Sequence, residues 1–150
     1  MIPEYLLVKF LHVLIAILAL GTSAGLGIVL EFYGDHPVHG AFALRAIERI
    51  VAFFVLPGYL LMLVTGLWMV HLSWPMTTQW IRAALVLWGV GVVALVSSVV
   101  VLHRQIRLFH TEGPASASYR GTSLLGRALG AGTGIVVVGI LYLMIFRPGA

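Results

Sequence analysis

The stretch YLLVKFLHVLIAILALGTSAGLGIVL, residues 5–30, decides the fold. Lys9 is its only formally charged side chain, and its apolar residues continue without interruption far past the length of an ordinary strand. A helix crossing a bilayer needs about 20 mostly apolar residues. Inside the hydrocarbon, a helix satisfies each backbone donor and acceptor within its own segment. Three further runs meet the same length requirement, at residues 50–72, 81–102 and 124–146. All four are too long for the strands of a membrane barrel. The expected fold is therefore all-α, an integral membrane four-helix bundle formed as a single domain over residues 1–150.

Composition supports lipid as the solvent. Of 150 residues, 61% are hydrophobic and 9% charged, against about 45–50% and about 25% in soluble domains. So much apolar surface cannot be hidden in one small core. There is no cysteine, which removes disulfides, thiolate metal sites and thiol nucleophiles together. The formal charge of +4 is carried by cations at helix ends, a pattern that suits lipid headgroups rather than nucleic acid, which would need a clustered basic face. Glu4 stands where a signal peptide would carry positive charge, and the first run exceeds the usual h-region of about 7–15 residues. It reads as a retained span.

The separators are turn-like: loop one, 31–42, holds Gly34, Asp35, Pro37 and Gly40; loop two, 73–75, is Ser-Trp-Pro; loop three, 111–119, holds Gly113 and Pro114. The short second loop makes helices two and three antiparallel neighbours. Arg45, Arg49, Arg104, Arg107, Arg120 and Arg127 flank loops one and three, whereas Lys9, Arg82 and Arg147 lie towards the other side. By the positive-inside rule, loops one and three are cytoplasmic and both termini lie outside, in a multi-pass protein of the cell membrane. Tyr5, Trp68, Trp74, Trp80 and Tyr142 gather at the outer ends as an interfacial aromatic belt. Ala16, Ala19, Ser23 and Gly27 form a small-residue stripe on helix one, and Gly126, Gly130 and Gly134 form another on helix four. Such stripes serve close helix contact, either within the bundle or against a second copy or a membrane-complex partner. Pro57 removes a backbone donor from mid-helix two and, with Gly58, predicts a kink.

His12 is the most informative position. It lies four residues before Ala16, so it shares the small-residue stripe and should face the bundle. An ionisable side chain within a span points to function by default. Neutral imidazole can ligate haem iron or copper, or relay protons; the alternative is a hydrogen bond to a neighbouring helix. His71, at the outer end of helix two, lies in the same leaflet and is either a second ligand or an interfacial residue. His103 and His110 end helix three among arginines, where cations favour the helix C-terminus. His36 and His39 lie in the Pro- and Gly-bearing loop one, where a weak metal site is an open reading that no further residue supports. Glu48 pairs locally with Arg45 or reaches Arg127 across the loop-side mouth. Met69, Met76 and Met144 could join His71 as soft ligands for Cu(I), although scattered methionines also serve as packing. There is no nucleophile–base constellation, mid-span carboxylate or phosphate loop.

Several of these features occur together in known families. Lys9, Phe10, Leu11, His12 and Val13 open helix one; Pro57 and Gly58, then Thr65, Gly66, Leu67, Trp68, Met69, Val70 and His71, then Trp74 and Pro75, mark helix two. Tyr119 and Arg120 follow, and Phe146, Arg147 and Pro148 close the order. Along nearly its whole length the chain resembles the bacterial integral membrane family of domain of unknown function 2269, which implies the membrane fold but no activity. It is more distantly similar to the HemJ-type membrane protoporphyrinogen oxidases, a resemblance that implies haem b binding through His12. That family's helix-three lysine falls near Ala84 here, and the nearby Arg82 is no substitute, because a guanidinium has no lone pair to give. A weaker likeness to CopD-type copper-resistance proteins rests on the outer His and Met residues. The expectations are thus a haem-binding protein for electron transfer or haem handling, a non-catalytic accessory subunit, or a copper-handling protein.

Overall fold

Each apolar run forms a helix, and each helix continues past the run that announces it. The computed structural model describes residues 3–149. Helix α1 spans Glu4–Tyr33, α2 spans Gly40–Ile50, α3 spans Leu56–Ser73, α4 spans Gln79–Thr111 and α5 spans Ala117–Phe146. A π-helical turn over Val51–Val55 joins α2 to α3 without a break, so four helical rods are long and apolar enough to cross a membrane. A helix of 30 residues such as α1 rises about 45 Å, well beyond a hydrocarbon core of about 30 Å. The extra turns carry the polar residues expected in loops. Loop one is accordingly shorter than the sequence suggests, because Ala43, Leu44 and Ile47 give α2 a buried face while Arg45 and Arg49 point outward.

The strain at Pro57 is taken up one turn earlier than the proline itself. Pro57 has no N–H, and its ring crowds the carbonyl four residues back, at Phe53. The chain widens there into the π turn, in which the N–H of Leu56 bonds the carbonyl of Val51, a recognised way of absorbing a break in the α ladder.

The helices pack as two pairs, α1 with α3 and α4 with α5, with α2 leaning across to α4. Gly58 lets α3 approach α1: a Cβ there would lie 2.6 Å from the Cβ of Ala19. The main core joins the pairs at the loop-one end, where Leu44, Ile47, Val51, Val55 and Tyr59 meet Leu95, Leu102, Leu108 and Tyr119. The outer faces of α1 and α5 expose large apolar residues such as Phe10, Ile17, Ile135 and Val138, as lipid contact requires. The small-residue stripes behave differently from one another. Ala19 packs on Gly58 and Gly126 on Val101, but among the described residues no neighbouring helix comes within 4 Å of a Cβ built on Gly27, Gly130 or Gly134. These three face each other across a crevice between α1 and α5.

Candidate functional site

The crevice between the helix pairs contains two cavities, which share Leu20, Tyr59 and Val137 as their common wall. The first, of 240 Å³, lies towards the chain termini and has His12 in its wall.

His12 is only 9% exposed. Its Nδ1 lies 2.8 Å from Thr65 Oγ1. That hydroxyl is itself 2.8 Å from the carbonyl of Leu61 and 3.2 Å from that of Met62. Thr65 has one proton, and these carbonyls accept it. Its oxygen therefore accepts from His12, which assigns the ring proton to Nδ1. The other nitrogen, Nε2, then carries the lone pair. Gly66 makes room for the ring, since a Cβ there would stand 3.3 Å from His12 Cε1. A threonine in the span, bonded back to its own helix, thus orients the imidazole and fixes its tautomer.

Around the histidine the wall is apolar and aromatic, with Ala16, Leu20, Ala84, Trp88 and Val137 among its residues. Tyr59 Oη and Trp80 Nε1, on two residues of this wall, are buried with no hydrogen-bond partner among the described residues, while Trp88 Nε1 donates to the carbonyl of Tyr59 at 3.3 Å. Lys9 and Arg147 contribute positive charge to the wall. Arg147 ends α5 in the left-handed conformation, with φ of 46°. Its guanidinium sits 5.1 Å from the ring centre of Trp74 and 6.0 Å from that of Trp80, a cation–π arrangement.

The remaining candidates divide clearly. Met69 and Met144 line the cavity, and so does the buried Met62, which sequence reasoning passed over. His71 and Met76 are exposed and do not contribute to its wall. His36 Nδ1 accepts from the backbone N–H groups of Val38 and His39, both at 3.2 Å, and so serves the turn. His110 sets its ring edge-on to Phe109. Among the described residues, no three His, Cys, Asp or Glu side chains gather as a metal cluster.

Charge pairing at the loop-one end corrects the expectation for Glu48. It meets neither Arg45 nor Arg127 but His103, at 2.9 Å. Arg127 instead reaches back to α1, lying 2.7 Å from Asp35 and 3.2 Å from Glu31. The contact to Asp35 is hydrogen-bonded; the one to Glu31 through Nε is close enough for an ion pair but lacks hydrogen-bond geometry. The connection arises because α1 and α5 both run further than their apolar runs, bringing these charges level. Ser123 Oγ adds a 3.1 Å bond to Asp35, and the Tyr119 hydroxyl donates to the carbonyl of Gly34.

Four apolar rods around an inward-facing histidine define a polytopic membrane protein of the four-helix type. The chain belongs to the family of predicted integral membrane proteins called DUF2269, whose model matches residues 6–148. No curated protein and no solved structure matches it.

Proposed function

We propose that this protein binds haem b within the membrane, for electron transfer or haem handling, with His12 Nε2 as the nitrogen that would hold the iron. The observation that carries the reading is the contact that orients the ring: His12 Nδ1 lies 2.8 Å from Thr65 Oγ1, and with Nδ1–H donating to that oxygen the lone pair of Nε2 is left in an apolar wall. Metal-bound histidines are oriented in this way, by an outer partner on the second nitrogen. Lys9 and Arg147, in the same wall, suit the two carboxylates of a haem. The volume of 240 Å³ falls below the roughly 300–1,000 Å³ of pockets that enclose drug-sized ligands. The support therefore lies in the donor chemistry of the wall and not in its volume.

When bound, haem supplies one-electron chemistry; the chain's own part is to hold it. His12 would give the lone pair, Thr65 would keep the ring from turning, and the aromatic side chains of the wall would limit the approach of water. Met62, Met69 and Met144 offer thioethers in the same cavity. These thioethers, and not the exposed His71, would be the side chains sharing the site with His12. The same three methionines give a second reading: with His12 they form a soft donor set suited to Cu(I).

The test is an absorption spectrum of purified protein, oxidised and dithionite-reduced, with metal analysis. The haem reading expects b-type bands that disappear in His12→Ala and persist in His71→Ala. Copper without haem bands supports the second reading. Colourless, copper-free protein overturns both and leaves the accessory-subunit reading.

A further inference from the structure

The arginines at the end of the bundle that carries loops one and three are not equivalent. Arg127 is spent on Asp35 and Glu31. Arg45 and Arg49 on α2, and Arg104 and Arg107 on α4, are exposed. Among the described residues, none of these four has a carboxylate within ion-pair distance. Arg45 Nε donates to the carbonyl of Ala41 at 3.2 Å, which leaves the terminal nitrogens of its fork to offer.

Helices α2 and α4 pack against each other, and the contact of Glu48 with His103 fixes their register. Arg49 and Arg104 stand one residue from that contact, while Arg45 and Arg107 stand three and four residues from it, towards the loops. At 1.5 Å per residue, all four fall within a layer about 8 Å deep. Glu48 is the one acidic residue on these two helices in that layer, and His103 already engages it. Four guanidinium groups are thus gathered at one depth without a protein counter-charge.

Towards mid-membrane the same two helices turn apolar outside. Phe53 follows Arg49 at four residues and is 83% exposed. On α4, Val100, Val96 and Val93 follow Arg104 at spacings of four and three, and all are exposed, so they continue one helix face. Forks of N–H donors match phosphate oxygens, and the apolar stripes beneath them match acyl chains. A free phosphate or an acidic peptide would use the arginines and leave the stripes uncovered.

We propose that the seam between α2 and α4 binds an anionic phospholipid, in the leaflet that meets loops one and three. Arg49 and Arg104 hold its phosphate, with Arg45 and Arg107 on the loop side, and its chains lie along Phe53 and the valines of α4. The lipid supplies the counter-charge that the protein lacks there and ties α2 to α4 across the Glu48–His103 contact. This site involves neither His12 nor its cavity, so it stands apart from the haem reading.

The experiment titrates the full chain, in nonionic detergent, with phosphatidylglycerol or phosphatidylcholine of identical acyl chains, and counts retained lipid by native mass spectrometry. Phosphatidylglycerol is expected to bind saturably, about tenfold more tightly than phosphatidylcholine, and to raise the midpoint of thermal unfolding. Arg49→Gln and Arg104→Gln should each weaken its retention about tenfold. Both side chains are exposed, so the lipid-free variants should unfold at the wild-type temperature. Arg82→Gln removes the same charge from an exposed position at the other end of α4 and should retain the lipid as the wild type does. Glycerol phosphate, which has the headgroup chemistry without the chains, should not displace it. Equal retention of the two lipids, an equal loss in Arg82→Gln, or displacement by glycerol phosphate overturns the proposal; the last would make the seam a site for soluble phosphate.

Discussion

At the scale of single residues, Thr65 decides what His12 can do. A histidine held at Nδ1 has one nitrogen to offer; a freely turning one has neither in a fixed place. Thr65→Val keeps the volume but removes the acceptor, leaving Nδ1–H buried and unpaired, and should lower stability by about 1–3 kcal/mol. On the haem reading it should also reduce cofactor retention by about 10–100-fold, as loss of such an outer partner does. Thr65→Ser should restore both, measured by thermal unfolding and by haem content after gel filtration. Equal behaviour of the Val and Ser variants would remove Thr65 from the site. The sequence made His12 legible, because an imidazole on a small-residue stripe has few reasons to be there. Thr65 was not legible: a threonine bonding back to its own helix resembles any other helical threonine until the facing helix is known. Met62 escaped for the same reason, since nothing in its own run distinguishes it from packing.

At the scale of elements, the second rod controls how α1 meets the rest. Gly58 follows the proline and faces Ala19 at a distance no side chain could share. Gly58→Ala should push α3 away from α1, lower stability by roughly 1–3 kcal/mol through overpacking, and pull Thr65 off His12. Ala19→Gly in the same chain should recover much of that loss, a coupling that a double-mutant cycle of thermal stabilities would reveal. Additive losses would mean that the two positions do not touch. The existence and order of the four rods were plain from apolar run length alone. Their ends were not, because the terminal turns are amphipathic and hydropathy reads their charges as loop. The π turn was hidden too: Pro57 announces a disturbance, but only the packing of Val51 and Val55 into the core chooses where the ladder widens.

For the whole molecule, arginine distribution predicts that loops one and three face the cytoplasm. Single cysteines placed at Val38 or Ala115, both exposed, should react with an impermeant maleimide only after the membrane is opened. Reaction in intact cells would reverse the orientation. The paired packing that shapes the crevice also bears on how the protein could be assembled. Each pair, α1 with α3 and α4 with α5, is an antiparallel hairpin whose own contacts are made within it, and the surface joining the hairpins is already specific. Leu44, Ile47 and Val55 meet Leu102 and Leu108, Glu48 meets His103, and Arg127 meets Asp35. The link between hairpins is the short run at residues 74–78. A gene divided at Met76 should therefore yield two separately translated fragments that find each other in the bilayer and co-purify. Arg127→Glu should weaken that complementation, and Asp35→Arg in the other fragment should restore it.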